Sequence, residues 1–415
     1  MNSIRTFDTF NYPRLLYIAN VPVERSYHGS ALLYRLLQDY PADRLLILEP
    51  STHPSLPERR LPGVRYETIP TGFERITRTR FAEIQASYLF SLSPNWVSVA
   101  DAKLLEFKPE AVLTVGHGYL WRTADAFSRK HSIPLHIICH DEITRAVMLP
   151  KSRLPELESL FAEVYHHASS RFAVSPYMRD DYRGRFGAES TVLYPSRAPD
   201  VPQFDEPAPH LNEPMESLRV AFAGTINSAG HAALLKQLSE TLARRGGRLQ
   251  IFGPISPETA AAAGLTGPAI ELRGLLPSNE LIKTLRTESD LLFVPMSFEL
   301  SDRHAMATNF PSKLTDYTAV GLPILIQGPE ESSAVKWANE NQDAALIVTD
   351  PDARKLSIVL ERLLESSEER IILGSSALRI GTRYFGFMEA SKIFISSIMF
   401  TQGCNSSSSP QKIED

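Results

Sequence analysis

At 415 residues the chain is long enough for two ordinary domains, and 43% hydrophobic with 22% charged residues is an average globular composition. The formal charge of −5 gives no electrostatic reason to expect nucleic acid as the main partner. Only two cysteines occur, Cys139 in an expected strand and Cys404 near the polar end, which argues against a structural disulfide, and no clustered His/Cys spacing suggests a metal.

Residues 1–12 hold no apolar core of signal-peptide length, and no stretch approaches the ~18 apolar residues of a spanning helix. The expectation is a cytoplasmic protein, with the inner face of the membrane as an alternative position. Apolar runs at 14–20, 44–49, 111–115, 135–140, 171–174 and 191–194 read as buried strands. Helical patterns fall between them at 30–37, 120–131, 156–167 and 176–186. Short apolar strands alternating with amphipathic helices predict a parallel sheet covered on both faces, over residues 1–197. Residues 198–216 follow, with Pro199, Pro202, Pro207, Pro209 and Pro214 among polar residues, and read as an extended linker.

The pattern then restarts over 217–383. Strands are expected at 218–223, 249–252, 270–273, 291–295, 323–326 and 345–349, and helices at 229–244, 279–286, 311–319, 331–339, 353–364 and 368–378. The fold class is therefore α/β: two tandem Rossmann-like, doubly wound units of six strands each, facing a central cleft. A last apolar-faced helix at 384–400 is expected to pack back on the first domain, and 401–415 reads as a disordered tail.

The loops after these strands carry the candidate chemistry. After the first strand, Gly29 precedes a helix and would let backbone approach a ligand. Gly116-His117-Gly118-Tyr119 follows the third strand and Cys139-His140-Asp141-Glu142 the fourth. Together they bring imidazoles that can donate to a hydroxyl and carboxylates that can take a proton to one sheet mouth. Gly224 to Gly230, with Thr225, offers space and backbone donors for a phosphate but no Arg or Lys. The polar loop 297–309 carries Glu299, Asp302, His304 and Arg303, the last a candidate second anion ligand. Glu330 and Glu331 are expected in the first turn of a helix, complementing its dipole. Arg75, Arg78 and Arg80 beside Phe73, Ile76 and Phe81 read as a solvated charge run, with a peripheral membrane contact or a lipid-linked acceptor as the alternative.

The stretch Asn309 to Ile326 stands out. Asn309 reads as an N-cap, Pro311 as first-turn, and Gly321 as the residue past the helix end. Lys313 in a first turn opposes the helix dipole by some tenths of a kcal/mol, a cost that vanishes if an anion sits there. Asp316, one turn on, could accept hydrogen bonds from sugar hydroxyls of the same ligand.

With these residues in place the sequence resembles the GT-B glycosyltransferases of the group 4-like superfamily over nearly its whole length. The resemblance rests on the tandem units, Cys139-His140-Asp141, the linker and Pro311-Ser312-Lys313-Leu314-Thr315-Asp316-Tyr317 followed by Gly321-Leu322-Pro323, a Pro-x-Lys variant of the donor-binding helix. It implies a nucleotide-sugar in the second domain and an acceptor in the first, with no cofactor beyond the nucleotide-diphosphate sugar itself. Lys313 then matches a phosphate-contacting lysine, Asp316 the ribose-binding acid, His140 an active-site histidine beside the donor sugar, and Gly29 the glycine of the first-domain loop. Asp141 is the candidate base, and His117 and Tyr119 stand on the acceptor side. Two departures matter: Thr308 and Asp316 replace the paired glutamates of the retaining pattern, and Gly224–Gly230 lacks the usual Arg and Lys. Retention and inversion both stay open.

The resulting expectation is transfer of a sugar to a glycan, lipid-linked or other hydroxyl acceptor, in cell-surface polysaccharide or glycoconjugate synthesis. The alternatives are a nucleotide-sugar epimerase of the same fold, a catalytically degenerate nucleotide-sugar-binding protein, and a solute-binding protein.

Overall fold

The computed structural model describes residues 12–26, 28–71 and 81–405. The segment with Arg75, Arg78 and Arg80, together with Tyr27 and residues 406–415, lies outside them. The chain divides into two compact units, one ending at Tyr194 and resuming at Met388, the other spanning Pro195–Phe387. Among the described residues no helix is long and apolar enough to cross a membrane.

The first unit is built on β1 (Leu15–Ile18), β2 (Leu45–Pro50), β3 (Arg65–Ile69), β4 (Ala111–Val115), β5 (Leu135–Cys139), β6 (Ser170–Ala173) and β7 (Thr191–Val192). These form one sheet of order β3-β2-β1-β4-β5-β6-β7, parallel at every pairing. All four residues of β1 are buried, as a strand covered on both faces requires. Leu15, Tyr17 and Ala19 share one core with Leu33 and Leu37 of the helix His28–Leu37. The period of two sends Leu16 and Ile18 to the opposite face.

This sheet has seven strands where six are expected. The unanticipated β3 is an edge strand in which only Ile69 is buried, so it lacks the apolar run that marks the others. The last helix runs Phe387–Asn405, starting after Gly386 and continuing past the expected end at 400. It sets Phe394, Ile395 and Ile398 into the core around β1, with the Phe394 and Phe172 rings 5.7 Å apart. Each such side chain contributes about 2–3 kcal/mol of burial.

The second unit carries β8 (Arg219–Ala223), β9 (Arg248–Phe252), β10 (Ile270–Gly274), β11 (Leu291–Pro295), β12 (Ile324–Gln327) and β13 (Leu346–Val348). They form a parallel sheet of order β10-β9-β8-β11-β12-β13. Residues 198–216, expected as an extended linker, are fastened to this unit. Leu211 is fully buried, and Ala208 N–H donates to Gly321 O at 2.9 Å. The buried guanidinium of Arg370 donates to Leu211 O, Glu213 O, Leu363 O and Leu364 O. One side chain thus satisfies the carbonyls that end the helix Ala353–Glu365 and those of the proline-rich segment.

Four local expectations are corrected here. The helix expected over 311–319 is only Lys313–Tyr317, with Ser312 before it. Asn309 ends the preceding helix Arg303–Thr308 and does not cap the next one. The cause is Pro311, which bars Phe310 from helical geometry, so the chain turns through Pro311 and Ser312 before the helix can start. The loop expected over 297–309 contains that same short helix. Glu330 and Glu331 precede the helix Ser333–Glu340 and do not stand in its first turn.

His136 on β5 is fully buried, with Nδ1 2.6 Å from Ser170 Oγ, and burial lowers its pKa from 6.5 to about 4. The unfolded chain takes up this proton at higher pH than the folded one, so stability is lost as pH falls from 6.5 toward 4. That difference amounts to roughly 3 kcal/mol at its limit. Denaturant unfolding at pH 7 and pH 5 should show this loss, with a shallower acid slope in His136→Gln; equal slopes would show that His136 is not the group involved.

Candidate functional site

In the second unit the strand order reverses between β8 and β11. The loops that follow these two strands therefore open onto the crevice where parallel sheets take ligands. Gly224 ends β8 with φ +136°, a conformation that L side chains rarely adopt, and a Cβ there would sit 3.5 Å from Lys313 Cε. The glycine thus brings bare backbone against the lysine stem. Lys313 Nζ lies 5.3 Å from the Phe222 ring centroid, a cation–π contact.

Lys313 is half-buried, and burial lowers its pKa from 10.5 to about 8. Among the described residues no carboxylate lies within ion-pairing distance of its ammonium. The charge is present at neutral pH and paired only with an aromatic face. Asp316 is half-buried on the same helix, and its charge acts on Arg197, whose Nε donates to Thr315 O at 3.1 Å and Nη2 to Thr318 Oγ1 at 3.0 Å. Burial lowers the Arg197 pKa from 12.5 to about 10, which the Asp316 charge partly offsets. Arg197 fixes the helix that carries both Lys313 and Asp316.

Helix Lys313–Tyr317 is too short to present much of a dipole, so the expected anion-binding helix start is not where the long aligned helix begins. The long helix nearby is Ala229–Ala243, capped by Ser228, whose Oγ accepts from His231 N at 3.2 Å. Its Gly230 is packed so tightly that a Cβ would fall 1.9 Å from Ser297 Oγ in the loop after β11. His231 is buried, its pKa lowered from 6.5 to about 4 by burial and by the Lys313 charge, with Asp302 acting in the opposite sense. Thr225 stands half-buried in the loop between Gly224 and this helix.

Arg303 does not join the group. It is exposed, with Nε 2.7 Å from Glu331 Oε1, so its charge is spent on a neighbouring carboxylate. Thr308 donates its hydroxyl to His304 O at 2.9 Å and serves a helix end.

In the first unit the reversal lies between β1 and β4. Asn20 bridges it: its Oδ1 accepts from Tyr119 N and Leu120 N, each at 2.7 Å, capping the helix Leu120–His131. Tyr119 is tied into this wall, its ring 5.7 Å from Trp96. His117 Nδ1 and Asp141 Oδ2 approach to 3.6 Å, both half-exposed. His140 lies between β5 and this pair. Burial lowers its pKa from 6.5 to about 4, with Asp141 raising and His117 lowering it. A Cβ on Gly29 would touch His140 Nδ1 at 3.5 Å, so Gly29 and His140 are neighbours. Glu142 is structural: it caps the short helix Ile143–Ala146 and pairs with Arg185 at 3.0 Å.

Gly29, His117, His140 and Asp141 are thus gathered at one sheet mouth, with Tyr119 in its wall, and Thr225, Lys313 and Asp316 at the other. The sequence reading does not anticipate Arg197 or His231. His231 carries a local signal, a histidine three residues past a serine cap, whereas nothing in the spacing marks Arg197. Among the described residues no group of His, Cys, Asp and Glu side chains could hold a metal ion.

An ammonium buried without a carboxylate opposes folding. Lys313→Met should raise stability at pH 7 by roughly 1–3 kcal/mol. The unfolded lysine holds its proton to higher pH, so wild-type stability should also climb between pH 8 and 10.5, a rise absent from the variant. Thermal melts across that range test both, and a destabilised Lys313→Met would show that the charge has a partner.

No family model and no curated protein sequence matches this chain. Solved structures do match it in shape. Sucrose-phosphate synthase from Thermosynechococcus elongatus superposes with a TM-score of 0.66 at 13% identity, covering 95% of this chain and 100% of its own. HepE from Anabaena, solved with UDP and glucose, gives 0.63 at 12% identity, covering 93% and 99%. The α,α-trehalose 6-phosphate synthase from Burkholderia multivorans gives 0.62 at 13% identity, covering 95% and 100%. A likeness over nearly the whole of each chain, at so low an identity, establishes the architecture: the two parallel α/β units of this protein have the GT-B glycosyltransferase fold.

Proposed function

We propose that the protein transfers a sugar from a nucleotide-diphosphate sugar to a hydroxyl acceptor. The observation that carries this reading is the half-buried, carboxylate-free ammonium of Lys313 beside Gly224 at the strand reversal. An uncompensated buried cation costs stability unless its ligand is an anion, and a diphosphate leaving group is such an anion. HepE, a match in fold, was solved with UDP and with UDP-glucose, which supports the same donor class here.

In this reading the bond between the anomeric carbon and the diphosphate oxygen breaks while the acceptor oxygen bonds to that carbon. Lys313 neutralises the charge that builds on the diphosphate, without a required metal. Asp316 accepts from ribose hydroxyls, and Thr225 lies beside the phosphates. His140, uncharged at neutral pH, donates an N–H to the donor sugar. Asp141, with His117 beside it, receives the acceptor's proton. Gly29, beside His140, leaves room for the donor; the acceptor is a glycan, a lipid-linked glycan or another alcohol, and Tyr119 borders the surface it would meet. Synthesis of a polysaccharide or glycoconjugate at the cytoplasmic face of a membrane is the setting this chemistry suits. Conversion of the donor alone, as by an epimerase, draws no support from the matching structures.

Calorimetry with UDP, GDP and ADP sugars tests the reading. Lys313→Ala should weaken the preferred donor by about 1.5–3 kcal/mol while leaving the bare nucleoside nearly unchanged. His140→Ala should retain donor binding and lose transfer by about 100-fold or more. A wild-type protein that binds no nucleotide sugar would end this proposal.

A further inference from the structure

His231 is left without a task in the fold. It lies in the first turn of the helix Ala229–Ala243, 7% exposed, and neither ring nitrogen has a hydrogen-bond partner among the described residues. A buried imidazole in that state forfeits the hydrogen bonds it makes in water. Two charged groups act on it, and a third lies beside the preceding residue. Lys313, from the short helix after β11, and Asp302, from the loop after β11, act on it electrostatically with opposite signs. Glu299 of the same loop packs against the preceding Gly230. The imidazole therefore stands at a capped helix start beside the unpaired ammonium, with donors to offer and no acceptor.

We infer that His231 is a proton-linked ligand for the donor's diphosphate, taking up a proton from solvent as the anion binds. This rests on the proposed nucleotide-sugar reading and deepens it. In the free protein the Lys313 charge and the buried setting keep the ring neutral. A bound diphosphate reverses the sign of the local field, so the protonated ring becomes the favoured one and both nitrogens can donate. The Gly224–Gly230 loop carries no Arg or Lys, so this titrating side chain does the work that a permanent cation could do there. The consequence is a donor site whose grip goes on tightening below pH 7, where Lys313 is already largely protonated.

The test is calorimetry of the full chain with UDP-glucose, GDP-mannose and ADP-glucose, whose phosphodiester groups do not titrate near neutrality. Titrations at pH 6 in buffers of different ionisation enthalpy read protons directly. At pH 6 Lys313 is already protonated in the free protein, so uptake there cannot come from it. Wild type should take up a substantial fraction of one proton per donor bound, and bind about tenfold more tightly at pH 6 than at pH 8. In His231→Gln the uptake should vanish, and affinity should fall about tenfold at pH 6 and by less at pH 8. Uptake that persists in His231→Gln would assign it to Asp302 or Glu299 and overturn the inference, as would a wild type that binds with no uptake. A wild type that binds none of the three donors removes the nucleotide-sugar reading and this inference together. Weakening by Lys313→Ala without any effect of His231→Gln removes this inference alone. Matched melting curves for His231→Gln and His231→Asn guard against misfolding.

Discussion

The ammonium of Lys313 is held where the protein gives it no carboxylate, and much of the second unit is arranged around that fact. Its stem lies against Gly224, where the positive φ would strain any side chain, and its charge faces the Phe222 ring. Arg197 braces the one-turn helix from behind, through a backbone carbonyl and a threonine hydroxyl. A structure optimised for stability alone would place methionine at this position or bring an acid to it. Keeping a lone cation there makes sense when an anion completes it, which is the usual relation between binding sites and stability.

The two sheet mouths show contrasting electrostatics. In the second unit two cationic-capable groups, Lys313 and His231, stand near a helix start; burial lowers the pKa of both, and the Lys313 charge lowers that of His231 further. In the first unit the half-buried His140 stays neutral while His117 and Asp141 pair across adjacent loops. In the proposed reading the first takes the diphosphate and the second the hydroxyl groups. Both stand where strand order reverses, because only there do the neighbouring loops diverge and leave a crevice.

Much of the fold could be read from the chain. Strands buried on both faces, such as Leu291–Pro295, announce themselves as continuous apolar runs, and their alternation with helices implies a parallel sheet. Strand-end loops could be named for the same reason. Where burial is one-sided the signal fades, and the edge strand Arg65–Ile69 went unrecognised. The proline-rich segment 198–216 has a linker's composition, yet Arg370, 157 positions beyond Glu213, holds it in place. No local pattern can express such a contact.

The sequence by itself determined the class of the fold and the loops from which a site could be built, since hydrophobic period and turn chemistry are local properties of the chain. It also singled out Lys313 as out of keeping with a first helical turn, Asp316 one turn beyond it, and His140 at a strand end. Only the tertiary structure decided which of them meet. It gave Arg303 to Glu331, brought Arg197 beneath the Lys313 helix, and left His231 buried beside a charge with nothing to bond. Burial and pairing depend on what packs across the sheet from distant parts of the chain. They set the charge states on which the chemistry turns.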